Sequence, residues 1–261
     1  MKYRKISITF YIIVIGMIAL PLISLLTSLF EYPLSFTDNP LLVEAIKVSF
    51  KSSMIMMVFV IILGTPIAYV SARLSFKGKK LLDIMLDLPL VLPPAVAGLL
   101  LLMTLGKESF IGSILLKLGW QIPFSLTAVI LAQLFVTLPV YIKTLADGFR
   151  QVDPLLEQTA MTLGDSTFQA FIKISLPLAK HSILTGAIMA WARGIAEFGA
   201  TIMFAGNMPS ITQTLPLAIY SAMESDMTAA MNIARFMVIV SLMVLLVLYK
   251  LSSKEQGHVK G

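Results

Sequence analysis

Long apolar stretches alternate with short polar segments along this chain. Runs that contain no Asp, Glu, Lys or Arg cover residues 6–30, 52–72, 88–106, 118–142 and 198–223. A helix that rises ~1.5 Å per residue needs ~20 residues to cross a hydrocarbon core of ~30 Å. Two further apolar stretches include charged residues, with Arg193 and Glu197 in the first and Arg235 in the second.

This pattern predicts an all-α integral membrane protein. Backbone polar groups in lipid must bond within their own segment, which favours helices for runs of this length. Composition agrees, because 57% of the residues are hydrophobic and only 13% are charged, whereas soluble domains keep about a quarter charged. We predict six transmembrane helices, at residues 7–30, 49–73, 84–105, 124–142, 181–204 and 228–250.

Basic residues are distributed unevenly between the two ends of the predicted helices. Of the 20 Lys and Arg residues, fourteen flank one side, four flank the other, and two lie within spans. Lys and Arg concentrate on the cytoplasmic side of membrane proteins, so both termini are predicted to be cytoplasmic, with the chain in the cytoplasmic membrane. This topology accounts for the net charge of +6 without a nucleic-acid partner. The first apolar run is too long for a signal-peptide core, so we predict that it is an uncleaved helix.

The predicted helices and loops divide the chain into three regions. Residues 1–40 form the first helix and an external loop, residues 41–253 a transmembrane domain, and residues 254–261 a cytoplasmic tail. The chain contains no G-x-x-x-x-G-K-[ST] loop for a nucleotide, no cysteine and only two histidines. This excludes disulfides and thiolate metal sites, and it argues against a histidine-based metal site and against catalysis. If the protein moves a solute uphill, the energy must come from other chains.

Three prolines interrupt the third predicted helix. Pro89, Pro93 and Pro94 lie within six residues, and proline removes a backbone donor and clashes with the preceding turn. We expect the cytoplasmic half of this helix to be kinked or unwound. Broken helices occur at membrane depth only where protein or a wet cavity surrounds them, so a structural kink and a pathway-lining role both remain open.

The longest polar segment, residues 143–180, carries signals for two short helices. Asp153 is predicted to cap a helix that begins at Pro154, and Gly164 to end that helix in a left-handed conformation. Asp165 or Ser166 is then predicted to cap a second helix that leads into the fifth span.

Apolar residues within this segment recur at spacings of three and four, as on one helix face. The polar part mixes acidic and basic residues, whereas helices that rest on a bilayer are usually richly basic. We therefore favour docking of a partner protein over lipid contact. The first apolar stripe comprises Leu145, Phe149, Val152, Leu156, Ala160 and Leu163, and the second helix carries Phe168, Phe171, Ile172 and Ile174.

The same segment resembles the cytoplasmic loop of ATP-binding-cassette (ABC) importer permeases, whose pattern is E-A-A-x3-G-x9-I-x-L-P. Gly164 lies six residues after Gln158, and Ile174 and Pro177 follow at the family spacing. Gln158 replaces the glutamate of the pattern, with Glu157 directly before it. The resemblance covers residues 41–253 and implies the type I permease fold, with coupling helices at about residues 150–177.

In that family the loop lies in a groove of a separate ATPase subunit and transmits its closure to the membrane helices. The resemblance therefore implies that one cluster of residues couples this chain to an ATPase. A salt bridge made by the family's glutamate would have to be made here by Glu157. The implied coupling residues are Glu157, Gln158, Thr159, Ala160, Leu163, Gly164, Asp165 and Phe168.

Three further stretches look like those of molybdate permeases. They are the proline-rich residues 87–98, the Glu-Phe-Gly-Ala-Thr motif at 197–201 with Ala-Gly-Asn at 205–207, and Thr-Leu-Pro-Leu-Ala-Ile-Tyr at 214–220. Sulfate and thiosulfate permeases share the outline but resemble residues 214–220 less closely, and tungstate importers are similar. The resemblance favours molybdate, with sulfate, thiosulfate and tungstate as alternatives.

The resemblance also implies partners and a mechanism. The chain would be a non-catalytic permease subunit that pairs with a second copy of itself, two ATPase subunits and an external molybdate-binding protein within membrane lipid. It would bind no cofactor, since ATP and Mg belong to the ATPase. ATP-driven closure of the ATPase pair would open the pathway outward, and hydrolysis would reverse it.

Charged residues within the fifth span are candidates for the pathway. Arg193 and Glu197 lie four residues apart on one helix face and can pair, and ionisable groups at membrane depth usually face a bundle interior or water. Arg193 could attract an oxyanion, or the pair could fix the helix structurally; both readings remain open. The pathway or gate candidates are Pro93, Pro94, Arg193, Glu197 and Gly199.

Two other classes of function are weaker alternatives. A self-sufficient secondary transporter is expected to carry an internal repeat, and no convincing repeat is present. A membrane enzyme lacks a suitable set of catalytic side chains.

Overall fold

The computed structural model describes residues 2–31 and 40–258. Helices joined by turns form this part of the chain, which confirms the predicted all-α class. Their bounds are α1 Lys2–Glu31, α2 Pro40–Arg73, α3 Lys79–Val91, α4 Pro94–Leu105, α5 Phe110–Lys117, α6 Leu126–Gln151, α7 Pro154–Thr162, α8 Thr167–Ala170, a π-helical segment Phe171–Ser175, α9 Leu176–Leu178, α10 Lys180–Ile195, α11 Gly199–Ala205, α12 Leu215–Ser225 and α13 Met227–His258.

Fewer helices than predicted are long and apolar enough to cross a membrane. Among the described residues these are α2, α6 and the Met227–Leu251 part of α13, and a fourth if α3 and α4 together count as one span. Within the part of α1 whose side chains the structure describes, a shorter apolar helix covers Ile8–Pro21. Part of the predicted external loop, residues 32–39, lies outside the described residues.

The third predicted span is two helices instead of one kinked helix. α3 and α4 meet at Leu92–Pro93 with a bend of 116°, where both residues adopt extended ψ angles of 135° and 131°. Pro94 then occupies the first turn of α4, where a missing N–H costs nothing. The predicted kink is thus confirmed as a sharp bend, and its place is where two prolines are adjacent, since α3 remains helical through Pro89.

The fifth predicted span, 181–204, is also broken. α10 ends at Ile195 and α11 begins at Gly199. The Glu197 carboxylate Oε1 accepts a hydrogen bond of 2.9 Å from the backbone N–H of Ala200. The first N–H groups of a helix have no partner within it, so this side chain stabilises the new start. A continuous apolar pattern did not predict that break.

α6 lies at the centre of the bundle, between α2 and α10. Tyr141 of α6 is fully buried, and its hydroxyl lies 2.9 Å from that of Thr65 in α2. Gly64 permits this approach, because a Cβ there would lie 2.6 Å from the Tyr141 ring. Along α10, a Cβ at Gly186 would lie 3.3 Å from the Tyr141 ring of α6, and one at Gly194 would lie 2.4 Å from Met56 Cε of α2. Small residues thus let these backbones pack closely.

Candidate functional site

The polar segment after α6 folds as its capping signals predict. Asp153 Oδ1 accepts a hydrogen bond of 2.9 Å from Leu155 N–H at the start of α7. Gly164 ends the helix with φ +104°, a conformation that costs glycine little. Ser166 caps α8 in a reciprocal capping box with Gln169, which decides between the two predicted caps. We refer to residues 154–175 as the corner element.

The second helix of the corner element differs from its prediction. α8 has only four residues and continues into the π-helical segment Phe171–Ser175. π-Helical turns are rare and are frequently found at functional sites. An ion pair between Lys173 and Asp165 connects this segment to the corner after α7.

The predicted apolar stripe does not hold along its whole length. Phe149, Val152 and Ala160 are buried, but Leu156 and Leu163 are exposed. The prediction treated residues 145–163 as one continuous helix. The structure divides them into α6 and α7, and the chain changes direction between the two helices at Asp153–Pro154. The last residues therefore face outward instead of into the bundle.

The outer surface of the corner element is apolar at its tip. Leu163 is 84% exposed and Phe168 is 69% exposed, and Leu155 is exposed beside them. Water-exposed side chains of this size favour burial against another surface. Of the implied coupling residues, Gln158, Thr159, Leu163, Gly164 and Phe168 are exposed, Asp165 is partly buried, and Glu157 and Ala160 are buried.

Glu157 points into the protein and binds side chains from two other elements. Its Oε1 accepts from Arg73 Nε at 2.8 Å and from Ser175 Oγ at 2.6 Å, and its Oε2 accepts from Tyr69 Oη at 2.7 Å. Arg73 Nη2 also lies 2.7 Å from Oε1. Glu157 therefore forms a salt bridge, with Arg73 of the same chain, and that it takes the place of the family's glutamate stays a prediction.

This setting changes the acidity of Glu157. Burial by itself raises the pKa of the carboxyl, but the hydrogen bonds from Ser175, Tyr69 and Arg73 and the positive charge of Arg73 together lower it below the usual value. Hydrogen bonds to the ionised form favour ionisation. Glu157 is thus held as a carboxylate.

Arg73 connects this acid to the end of α6. Its Nη2 donates a hydrogen bond of 2.8 Å to the carbonyl oxygen of Val152, the residue after α6. A cation at a helix C-terminus is favourable because unpaired carbonyl groups leave partial negative charge there. Rings surround the group, since Tyr69 stacks edge-on with Phe171 at 4.7 Å and with Phe149 at 5.5 Å between centroids. Sequence reasoning missed Tyr69, Arg73 and Ser175 because they are distant in the chain.

The predicted pair in the fifth span also forms. Arg193 Nη1 lies 3.0 Å from Glu197 Oε2, with the Glu197 side chain 1% exposed and that of Arg193 41% exposed. The contact is ionic, without the alignment of a hydrogen bond. Glu197 therefore binds Arg193 with one oxygen and the start of α11 with the other.

The two broken helices contact each other. A Cβ at Gly199 would lie 2.8 Å from Pro94 Cβ, and one at Gly98 would lie 2.5 Å from the carbonyl oxygen of Ala200. The break after Pro93 thus packs on the break that contains Glu197, and the structure brings four of the five pathway candidates into two contacts at this place.

The long apolar helices and their packing define a helical membrane protein, from which the corner element presents exposed apolar side chains. Residues 64–256 match the model of the family described as binding-protein-dependent transport system inner membrane component. This match covers well over half of the chain. The chain belongs to this family, the permease subunits of ABC importers.

Relatives and solved structures agree with this assignment. ModB of Escherichia coli (strain K12), a molybdenum transport system permease protein, is 39% identical over 183 residues, which are 70% of this chain and 80% of that protein. WtpB of Pyrococcus abyssi (strain GE5 / Orsay), a molybdate/tungstate transport system permease protein, is 37% identical over 207 residues, 78% of each. A chain of a bacterial alginate ABC transporter crystallised with its periplasmic protein has the same fold, with a TM-score of 0.72, 15% identity and coverage of 97% of this chain and 94% of that one.

Proposed function

We propose that this chain is the transmembrane permease subunit of an importer that carries molybdate across the cytoplasmic membrane. The corner element carries this proposal: its Glu157 is bonded to Arg73 of α2, which also binds the end of α6, while Leu163 and Phe168 are exposed. A partner that moves this element would move the bundle. Relatives whose names include molybdenum or molybdate support the choice of anion.

The chain is a non-catalytic subunit, so transport through it depends on partner subunits. We propose a homodimer with two ATPase subunits, which hold ATP and Mg, and an external molybdate-binding protein. Within each copy we propose six membrane passages, both termini in the cytoplasm, and a transmembrane domain over residues 41–253. The third passage would comprise α3 and α4 together, and the fifth passage would comprise α10 and α11 together.

Alternating access follows from this arrangement. Closure of the ATPase pair on ATP brings the two corner elements together and opens the pathway outward, and hydrolysis reverses the motion. The contact of the two broken helices, in which Gly199 meets Pro94 directly after Pro93, is our candidate gate. Arg193 is our candidate guide for the anion, because its side chain is 41% exposed beside the buried Glu197.

The test is uptake into vesicles that contain the full complex with its binding protein. We expect ATP-dependent accumulation of molybdate, with tungstate second, since one relative bears both names, and little uptake of sulfate or thiosulfate. An ATPase variant unable to hydrolyse ATP is the control.

Two outcomes would contradict the proposal. Preference for sulfate over molybdate would reassign the substrate. Accumulation by this chain alone, without the ATPase, would indicate a secondary transporter.

A further inference from the structure

The end of α2 contacts the corner element in two ways, through the bonds of Glu157 and through the ring contact of Tyr69 with Phe171. α7 packs mainly on α8 and the π-helical segment, so its backbone has little direct contact with α2. The polar link is the Glu157 carboxylate, which binds Tyr69 and Arg73 of α2. Its third partner, Ser175, lies at the end of the π-helical segment.

We infer that Glu157 is a positioning residue that transmits displacement of the corner element to α2. This inference rests on the proposed function and adds the route by which force enters the bundle. The clamp, defined as Tyr69, Arg73, Glu157 and Ser175, ties α7, the π-helical segment and α2 together.

The geometry favours transmission because the clamp is stiff. Charge-assisted hydrogen bonds are short and strong, and Arg73 approaches Glu157 Oε1 with Nε at 2.8 Å and Nη2 at 2.7 Å while Tyr69 binds Oε2. The Arg73 and Glu157 side chains are 11% and 9% exposed, so water competes weakly with these bonds. A push on α7 therefore displaces the end of α2 instead of stretching the connection.

Arg73 extends the same connection to a third helix. Its bond to the Val152 carbonyl fixes the end of α6, which packs along α2 and α10. Glu157 thus joins the corner element to the two helices that form the core of the bundle.

The chain contains no cysteine. A single introduced cysteine can therefore carry a spin label that reports the position of one of the elements that the clamp joins. Leu155→Cys reports on α7 and Leu74→Cys on the end of α2, since both residues are exposed. Each variant is spin-labelled before assembly with the ATPase and binding protein. The distance between the labels of the two copies is measured with and without a non-hydrolysable ATP analogue.

We expect both distances to change with nucleotide when the clamp is intact. In Glu157→Gln the α7 distance still changes, but the α2 distance changes much less, and molybdate transported per ATP hydrolysed falls roughly tenfold. The matched control is Asp147→Asn, which breaks an exposed ion pair with Arg150 inside α6 and should behave like the parent.

A milder variant covers the case in which Glu157→Gln does not assemble. Tyr69→Phe removes one donor to Glu157 and keeps the ring contacts with Phe149 and Phe171. We expect a smaller loss of coupling, about threefold.

The outcomes separate the inference from the proposed function. If the α2 label responds fully in both clamp variants and coupling is unchanged, the clamp is only structural and the inference is wrong. If neither label responds in the parent protein, the proposed function fails and the inference fails with it.

Discussion

Glu157 and Glu197 are both buried acids, but different surroundings give them different tasks. Glu157 receives hydrogen bonds from three side chains of other elements. Glu197 binds Arg193 one turn away and the backbone of α11, so its effect is local. One carboxylate therefore joins elements that are distant in the chain, and the other shapes the helix in which it lies.

The lowered pKa of Glu157 predicts a dependence of stability on pH. In the folded protein the carboxyl ionises below its ordinary pKa of 4.5, so its contribution is fully present above that pH. The contribution is lost as the pH falls through the lowered folded pKa.

Thermal unfolding of the detergent-solubilised protein measures this contribution. At pH 7 we expect Glu157→Gln to cost about 3 kcal/mol, because Arg73 loses the charge it is bonded to. The difference from the parent should shrink below pH 4.5. Asp147→Asn should cost under about 1 kcal/mol at either pH, since its ion pair is exposed. A Glu157→Gln difference that stayed constant down to low pH would contradict this account.

Arg193 gives a second prediction at the scale of one residue. If its charge attracts the anion, Arg193→Gln should lower molybdate uptake roughly tenfold, and Arg193→Lys should retain most of it. Removal of the charge also leaves Glu197 Oε2 without its partner, so binding of the ATPase must be measured for both variants. Unchanged uptake in Arg193→Gln would remove this residue from the pathway.

Breaks in two helices, at Leu92–Pro93 and at residues 196–198, shape the bundle at the scale of elements. The first follows from local chemistry, since two adjacent prolines cannot continue a helix. The second has no proline and depends on Glu197, which replaces the hydrogen bonds that the break leaves open. The two breaks pack together at Gly199 and Pro94.

Close packing at this contact predicts sensitivity to a single methyl group. In Gly199→Ala the new Cβ would meet Pro94 Cβ at 2.8 Å and Ala95 N at 3.0 Å. We expect a loss of about 1–3 kcal/mol in the free energy of unfolding, together with reduced uptake. The free energy of unfolding is measured on purified protein, and uptake is measured on reconstituted protein.

Gly16→Ala is the control for that substitution. Gly16 lies in α1 with nothing within 4 Å of an added Cβ, and alanine in a helix is slightly stabilising relative to glycine. Equal effects of the two substitutions would show that α4 and α11 do not need to approach so closely.

The distribution of Lys and Arg gives a prediction for the whole molecule. With both termini in the cytoplasm, Leu155→Cys should react with a membrane-impermeant maleimide only after cells are permeabilised. Lys117→Cys, at the end of α5, should react in intact cells. Met243→Cys, within α13, should react poorly in both.

The absence of native cysteine makes this labelling specific to the introduced residue. The reverse pattern for Leu155→Cys and Lys117→Cys would invert the topology and place the corner element outside, away from any cytoplasmic ATPase.

Local signals made the class of fold and the ends of the corner element predictable. Apolar runs of about 20 residues can only be membrane helices or buried segments. Asp153 and Gly164 act on backbone groups within a few residues, so their roles as cap and stop could be read directly. The family pattern around Gly164 likewise needed no tertiary contact to be recognised.

The tertiary structure alone decided which way the acids face and where the fifth span breaks. Tyr69 and Arg73 are 88 and 84 residues from Glu157, and no spacing along the chain reveals that they bind it. The apolar runs predicted six spans. Hydropathy does not reveal a break such as the one between α10 and α11, where the Glu197 side chain caps the start of α11. Sequence thus determined what depends on neighbouring residues, and the fold determined what depends on partners brought together only by packing.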